Sequence, residues 1–378
     1  MSLPNKTIYS LGEPLSLDGL SVEGVNSDNS RKILNITEAN IRGFSSEKAS
    51  DNLILTIAID KLIATFIVKV LPIKVNSGVL TWVDPNITNL ILPDFVTSIA
   101  SKAFLGSTIT DITLNEGLTS IGEKAFAWSD ITRIIFPKTL NFIDKAAFYN
   151  CKNLEIIDLS QTSLTKITRE TFVLNKKLAV VKLPISVKEI ESQAFLVATS
   201  LKELMLPEGL LKIGNEAFRE SGLVNLKLPN SICYMDQRAF FLSAELQRVE
   251  TFGNVSVDGG EIEQCKMESS TFERCPKLVH FEIPRGVKIL GWNTISGSPS
   301  LESIVIPATV KEINFNAFGN AVFKTVTIEG SVPATANTIS GAWQAFPYNI
   351  QSIIVPRGSV DIYKNAFGWN SYAKKIIE

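Results

Sequence analysis

The phrase Ile121-Gly-Glu-Lys-Ala-Phe126 returns, slightly varied, as Ile213-Gly-Asn-Glu-Ala-Phe218 and as Ile313-Asn-Phe-Asn-Ala-Phe318. A repeat of this length holds one supersecondary unit, which cannot bury its apolar face without neighbours. The sequence therefore predicts a solenoid in which the last residue of the phrase is buried in every coil. When the chain is aligned on that residue, phenylalanines mostly 22 to 24 residues apart become equivalent, and Ile295 fills the one gap: Phe104, Phe126, Phe148, Phe172, Phe195, Phe218, Phe240, Phe272, Phe318 and Phe346.

Each repeat begins with an alternating pattern that is typical of a short parallel strand. In the repeat at 201–221, Leu204 and Leu206 point inward, while Glu203 and Met205 project from the opposite face because successive strand side chains alternate. Pro207 then ends the strand, since it has no N–H to continue the ladder. The rest of the repeat, an apolar pair three residues apart and a small residue before the phenylalanine, fits a single helical or 3₁₀ turn.

About twelve coils of this kind follow one another from near Ile87 to the C-terminus. The coil that begins at Leu246 is about ten residues too long. We interpret the excess, between Gly253 and Cys265, as a loop that leaves the solenoid and carries Asp258, Glu261 and Glu263. Loops of this kind often carry function.

The first part of the chain lacks the repeat and is predicted to be all β. Residues 53–59 and 65–70 are rich in Ile, Val and Phe, with Asp60-Lys61 as a turn between them. We therefore predict two domains, a small sandwich at residues 1–75 and a solenoid at residues 76–378, with the boundary between Pro72 and Pro85.

Composition excludes several classes of protein. The 378 residues carry a net charge of −1, and 45% are hydrophobic and 20% charged, as in an ordinary folded domain. No basic cluster points to nucleic acid, and no apolar run approaches the roughly 18 residues of a membrane-spanning helix. We expect neither a nucleic-acid partner nor a transmembrane segment in this chain.

Motifs of enzymes and metal sites are not found. The single histidine, His280, leaves no multi-histidine metal site, and neither a Walker loop nor a Gly-x-Ser-x-Gly elbow occurs. We predict a protein without catalytic residues, metal or cofactor.

The four cysteines lack a Cys-x-x-Cys pattern. Cys151 and Cys275 occupy the same corner position five coils apart, so we expect buried free thiols chosen for their size. Cys233 and Cys265 each lie seven residues before the phenylalanine of their coil. They could form a disulfide between adjacent coils, unless the long coil shifts the register.

The coils resemble the BspA-like leucine-rich repeats, whose units read Leu-x-x-Ile-x-Leu-Pro, an apolar pair, Ile-Gly, Ala-Phe and a nearby small residue or Cys. Residues 5–70 resemble a bacterial immunoglobulin-like domain through Tyr9-x-x-Gly12, Ile41-x-Gly43-Phe44 and Thr65-Phe66-x-Val68-x-Val70. Val355-Pro-Arg-Gly358, with the aromatic residues that follow it, resembles the closing unit of such solenoids.

These resemblances imply a secreted or surface-attached bacterial protein. Members of the family are associated with adhesion to host extracellular proteins such as fibronectin and fibrinogen, but no family motif names the residues responsible. We expect a monomer that acts outside the cell, whose signal peptide and anchor lie outside this sequence, since Met1-Ser-Leu-Pro4 lacks the regions of a secretion signal.

The candidate binding site lies on the outward face of the central strands, where charges of both signs mix. Such a stripe suits a protein partner better than a polyanion, although the same charges could serve only to keep the sheet soluble. The second hypothesis is a carbohydrate-binding accessory protein, whose mark would be exposed aromatics in one column; the five tryptophans do not share one. The predicted binding residues are Lys182, Glu203, Met205, Lys227, Arg248 and Glu250.

Overall fold

A computed structural model of the chain describes residues 1–253, 265–336, 346–347 and 350–378. The acidic residues of the expected loop, Asp258, Glu261 and Glu263, lie outside the described residues.

The N-terminal unit is built from β structure. A four-stranded sheet has the spatial order Ile8–Tyr9, Leu62–Val70, Ser50–Ile59 and Ile41–Arg42. A hairpin of Val22–Val25 and Arg31–Leu34 and a short 3₁₀ turn at Glu38–Asn40 complete it. Its buried residues, which form a hydrophobic cluster separate from that of the solenoid, are Tyr9, Leu55, Ile57, Phe66, Val68 and Val70.

The solenoid carries two parallel sheets, of which the broader is called the primary sheet. Its nine-stranded part continues through an isolated bridge between Glu282 and Val305 into a four-stranded part. The strands are Asn89–Ile91, Asp111–Thr113, Arg133–Ile135, Ile156–Asp158, Val180–Lys182, Glu203–Met205, Asn225–Pro229, Arg248–Phe252 and His280–Phe281, then Ser303–Ile306, Thr325–Ile328, Ser352–Ile354 and Ile376–Ile377.

The secondary sheet is formed by the short strands that precede each Gly or small residue of the repeat. It opens with an antiparallel pair, Ile73–Asn76 and Val79–Val83, and then runs parallel. In the described residues it has a five-stranded part that ends at Phe142–Ile143 and an eight-stranded part that begins at Lys166–Ile167. The remaining strands are Ser98–Ile99, Ser120–Ile121, Phe142–Ile143, Lys166–Ile167, Glu189–Ile190, Lys212–Ile213, Tyr234–Met235, Lys266–Met267, Ile289–Leu290, Glu312–Ile313 and Thr335–Ala336.

A turn ribbon around the phenylalanine replaces the helical turn expected in each repeat. Around Phe126, the backbone of Lys124 and Trp128 is left-handed, with φ of 54° and 58°. The Phe126 N–H donates to the Ala147 carbonyl of the next coil (2.8 Å), whereas the Ser129 N–H donates back to the Phe126 carbonyl (3.0 Å). A helix needs consecutive right-handed residues and directs its N–H groups along itself. Here alternate N–H groups bond the neighbouring coil instead.

The phenylalanines form a buried ladder, which confirms the prediction for every coil that has one. From Phe104 to Phe272, neighbouring ring centroids lie 4.5 to 5.6 Å apart and the rings are tilted by 4 to 18°. Ile295 interrupts the ladder, and Phe318 and Phe346 resume it at 5.0 Å. The ladder therefore runs through the solenoid core in the direction in which the coils stack.

The last coil is covered by a helix at Val360–Asn365 and a 3₁₀ helix at Asn370–Lys375. Tyr363, Trp369 and Tyr372 are buried there against Phe346 and one another. Burial raises the pKa of Tyr363 to about 12, and its hydroxyl donates to the Gly330 carbonyl at 2.7 Å. These aromatic residues replace the next coil that the repeat would otherwise require.

Candidate functional site

The parallel register of the primary sheet aligns the predicted binding residues in two adjacent columns. In one column Lys182 pairs with Met205, Met205 with Lys227, and Lys227 with Glu250. In the other, Glu203 lies beside Asn225, which lies beside Arg248. The structure thus brings all six predicted residues together on four neighbouring strands, and we call this group the central patch.

Met205 is the centre of the central patch, with 87% of its surface exposed. It lies between two depressions of the sheet surface that share Glu203, Leu204 and Met205. One, of about 670 Å³, extends over Val180 to Ile185; the other, of about 400 Å³, extends over Asn225, Lys227, Arg248 and Glu250. A methionine side chain is flexible and polarisable, so it adapts to irregular partner surfaces.

Ion pairs hold some of the charges of this face in place. The Lys182 Nζ lies 2.9 Å from a carboxylate oxygen of Asp158. A hydrogen bond from the Ser160 hydroxyl, together with Lys182, lowers the pKa of Asp158 below its usual range. Arg248 directs its Nε and Nη2 to one carboxylate oxygen of Glu250, at 3.1 and 3.0 Å.

Glu203 and Lys227 differ from these paired charges. Among the residues that the structure describes, neither has an ion-pair partner within 4 Å. They are therefore the central-patch charges that a partner could pair without breaking an existing contact.

An apolar stripe beside the central patch includes a residue that the repeat analysis did not single out. Ile156 and Val180 are neighbours in one column, 44% and 41% exposed, and Ile185 is 89% exposed on the rim of the larger depression. The sequence did contain a signal for Ile185, because it follows a strand-ending proline at a position that is polar or charged in most other coils. The residues at the same position in other coils are Asp94, Lys138, Glu208, Asn230, Arg285, Ala308 and Arg357.

The described tryptophans lie away from the primary sheet. Trp82 belongs to a strand of the secondary sheet, Trp128 and Trp292 to the turn ribbon, and Trp369 is buried in the cap. Trp343 lies outside the described residues.

The cysteines divide into a bonded pair and two free thiols. A disulfide joins Cys233 to Cys265, whose Cα atoms are 4.3 Å apart, across neighbouring coils of the secondary sheet. Cys151 and Cys275 are free and buried, and burial raises the pKa of each thiol to about 12. Both thiols are therefore neutral at physiological pH.

Other candidate chemistry is sparse in the described part of the chain. His280 contacts Glu282 at 3.3 Å. Within residues 1–253, 265–336 and the described end of the chain, no group of three His, Cys, Asp or Glu side chains is placed to hold a metal ion. In the same residues, no helix is long and apolar enough to cross a membrane.

Two family models match this chain. The BspA type leucine rich repeat region matches in six copies over residues 81–196, 165–269 and 265–377. The bacterial Ig-like domain (group 3) matches residues 2–70. A comparison with curated proteins finds no match.

A search of solved structures finds several matches to this chain, of which a bacterial leucine-rich repeat protein is similar in fold. A protein from Bacteroides ovatus is 20% identical with a TM-score of 0.50, over 85% of this chain and 90% of that one. A leucine rich cell surface protein from Faecalibacterium prausnitzii is 20% identical, with a TM-score of 0.32 over 84% and 96% of the two chains. The pneumococcal vaccine antigen PcpA is 15% identical, with a TM-score of 0.37 over 85% of each chain.

Proposed function

Because this chain belongs to the BspA-type leucine-rich repeat family, we propose that it is a non-enzymatic adhesin that binds an extracellular host protein through the central patch. The N-terminal Ig-like unit would then serve as a spacer between the solenoid and its attachment. The proposed partner is a matrix protein of the fibronectin or fibrinogen kind, and no cofactor takes part.

The exposed Met205 between two depressions is the observation that carries this proposal. Binding energy in protein interfaces concentrates in a few central residues that fill pockets and become fully desolvated. A partner that covers Met205 would bury it together with Val180 and Ile185, whose apolar surfaces line the same depression. The rigid coils hold the backbone of these residues in place before binding, which lowers the entropy cost of association.

The charges around Met205 favour a protein over a polyanion. Lys182 and Arg248 already contact acidic side chains, and Glu203 and Glu250 would repel a uniformly negative ligand. A surface with both signs selects a partner by matching charges, and it steers association more than it adds affinity.

An extracellular site of action is supported by the disulfide between Cys233 and Cys265. Disulfides persist in oxidising surroundings outside the cytosol and are rare inside it. The Ig-like unit beside the repeats is compatible with a spacer that displays the solenoid away from a surface.

The test is an array of host extracellular-matrix proteins run beside a glycan array, followed by affinity measurement on the best partner. The double variant Lys182→Glu with Lys227→Glu, and separately Met205→Ala, should each weaken binding roughly tenfold or more. The matched control is Lys32→Glu with Lys61→Glu, two exposed lysines of the N-terminal unit, which should bind like the parent chain.

Three outcomes would contradict the proposal. Equal losses from the control and the central-patch variants would place the site elsewhere. Unchanged binding by Met205→Ala would show that Met205 does not carry the interaction. Binding confined to the glycan array would instead favour the accessory carbohydrate-binding function.

A further inference from the structure

The N-terminal edge of the primary sheet differs from that of the secondary sheet. In the described residues, the strand Asn89–Ile91 pairs with Asp111–Thr113 and with no other strand. The secondary sheet begins instead with the antiparallel strand Ile73–Asn76, and the Ile73 carbonyl accepts a hydrogen bond from the Leu11 N–H at 2.8 Å. One sheet edge is closed by the chain itself and the other is open.

The ladder determines which backbone groups face the open edge. The Leu92 N–H donates to the Thr113 carbonyl (2.9 Å), and the Asp111 N–H donates to the Thr88 carbonyl (3.2 Å). Because parallel strands alternate the direction of their bonding groups, Thr88, Leu90 and Leu92 face the next coil. Asn89 and Ile91 therefore turn their N–H and C=O groups toward the position that a preceding coil would occupy.

A trough runs along this edge between the first coil and the N-terminal unit. It consists of two adjoining cavities of about 400 and 560 Å³ that share Lys69, Leu71 and Ile91. The first is also lined by Ser50, Asp51 and Asn89, and the second by Ile8, Pro93 and Phe95.

The two halves of the trough differ in chemistry. The Lys69 Nζ contacts Asp51 at 2.7 Å in the first half, which is the more polar of the two. In the second half, Ile8 and Ile91 are 41% and 76% exposed, and the Lys6 ammonium lies 4.8 Å from the centre of the Phe95 ring. An occupant would meet ionic groups at one end and apolar surface at the other.

We propose that this trough binds an extended segment of a partner protein, which adds to the primary sheet as its first strand. Another extended backbone can pair with N–H and C=O groups that are spaced two residues apart. An uncovered sheet edge is therefore a template for such pairing. A segment of about three to five residues would match the strand. An apolar side chain of the segment would contact Ile8 and Ile91, and a polar one would meet Lys69 and Asp51.

The proposal is tested with linear dodecapeptides selected from a random phage-displayed library on the intact chain. The best peptide is synthesised, and each of its residues in turn is N-methylated. Strand addition predicts that methylation of alternate residues lowers affinity at least tenfold while the residues between tolerate it, because only every second N–H faces the protein. This readout uses the unaltered protein.

Protein variants locate the edge. Ile91→Pro and Asn89→Pro each remove one edge-facing N–H, keep the donors at Leu90 and Leu92, and should weaken the peptide at least tenfold. Ile91→Val is the matched control because it keeps the N–H, and it should bind within about twofold, since tight edge binding rests on backbone bonds. Met205→Ala should not affect the peptide, which separates this site from the central patch.

Several results would overturn the proposal. The proposal is wrong if the library yields no binder. It is also wrong if Ile91→Pro leaves the affinity of the best peptide unchanged, or if the loss of affinity on N-methylation does not alternate along the peptide. If light scattering finds a dimer that the peptide dissociates, the occupant is a second copy of this chain and not a partner protein.

Discussion

In the solenoid every coil contributes the same buried positions, so that Phe218 contacts the rings of Phe195 and Phe240 at 5.2 and 5.1 Å. In the N-terminal unit no position repeats, and its small buried cluster depends on single residues such as Tyr9 and Phe66. Several of the surrounding apolar residues, including Leu15 and Phe44, are only partly buried.

This difference predicts how far the destabilisation caused by a mutation extends in each region. Repeat stability is approximately the sum of each coil and its interfaces with its neighbours. A lost ring in the ladder therefore weakens two interfaces at once. In the small unit, which has less surface to bury, single polar contacts of buried residues become important.

The largest effect is expected for Phe218→Ala. The ring is fully buried and stacked on both sides, so its removal should lower the free energy of unfolding by about 3–5 kcal/mol. Tryptophan fluorescence during chemical denaturation measures this for the solenoid alone, because the first tryptophan is Trp82.

Phe241→Ala is the matched control for Phe218→Ala. Phe241 is the same residue type but is only partly buried, on the outer side of the turn ribbon. Its loss should lower the free energy of unfolding clearly less. Equal losses for the two variants would mean that the buried ladder does not contribute more to stability than a partly buried ring.

The next effect is that of the disulfide. Replacing Cys233 and Cys265 with alanine should lower stability by about 3–4 kcal/mol, since the bond closes a segment with a sequence separation of 32. A reductant should lower the denaturation midpoint of the parent chain and leave that of the double variant unchanged. A parent chain insensitive to reductant would contradict this role.

A smaller effect is expected in the N-terminal unit from Tyr9→Phe. The buried Tyr9 hydroxyl lies 3.2 and 3.1 Å from the carbonyls of Lys6 and Ser16 and accepts the Ser16 N–H at 3.3 Å. Its loss should cost about 1 kcal/mol. Hydrogen exchange of residues 50–70 should accelerate while tryptophan fluorescence reports an unchanged solenoid; a shift in both would contradict independent cores.

The smallest effect is the pH dependence of Asp158 beside the central patch. Its folded pKa is lowered, first by the Ser160 hydrogen bond and then by Lys182, so its contribution is present above the unfolded pKa of about 3.9 and is lost as pH falls through the folded pKa. Because 39% of the side chain is exposed, we expect only about 0.5 kcal/mol.

Asp158→Asn measures this contribution. The stability difference between the parent chain and the variant should be found at pH 7 and should shrink as pH falls through the folded pKa of Asp158, because the carboxylate becomes protonated. A difference that does not change with pH would assign it to something other than ionisation.

The period of the repeat was sufficient by itself to predict the ladder and the two outward columns. Apolar residues that recur every 22 to 24 positions can be buried together only by stacking, and strand alternation then places Glu203 and Met205 outside. The turn ribbon was not predictable in this way. Left-handed residues such as Lys124 and Ala146 carry no glycine signal, and their conformation is stabilised by bonds to the next coil.

The sequence by itself determined the repeat, the direction of each strand side chain and the identity of the residues on the primary sheet, because these follow from local alternation and from the need to bury the apolar positions. Only the tertiary structure decided the pairing of Cys233 with Cys265, the depressions beside Met205 and the open edge at Asn89–Ile91. Each of these depends on how one coil or unit is placed against another. The equal positions of the two cysteines in their repeats allowed the bond, but the long coil left its register open until the coils were placed.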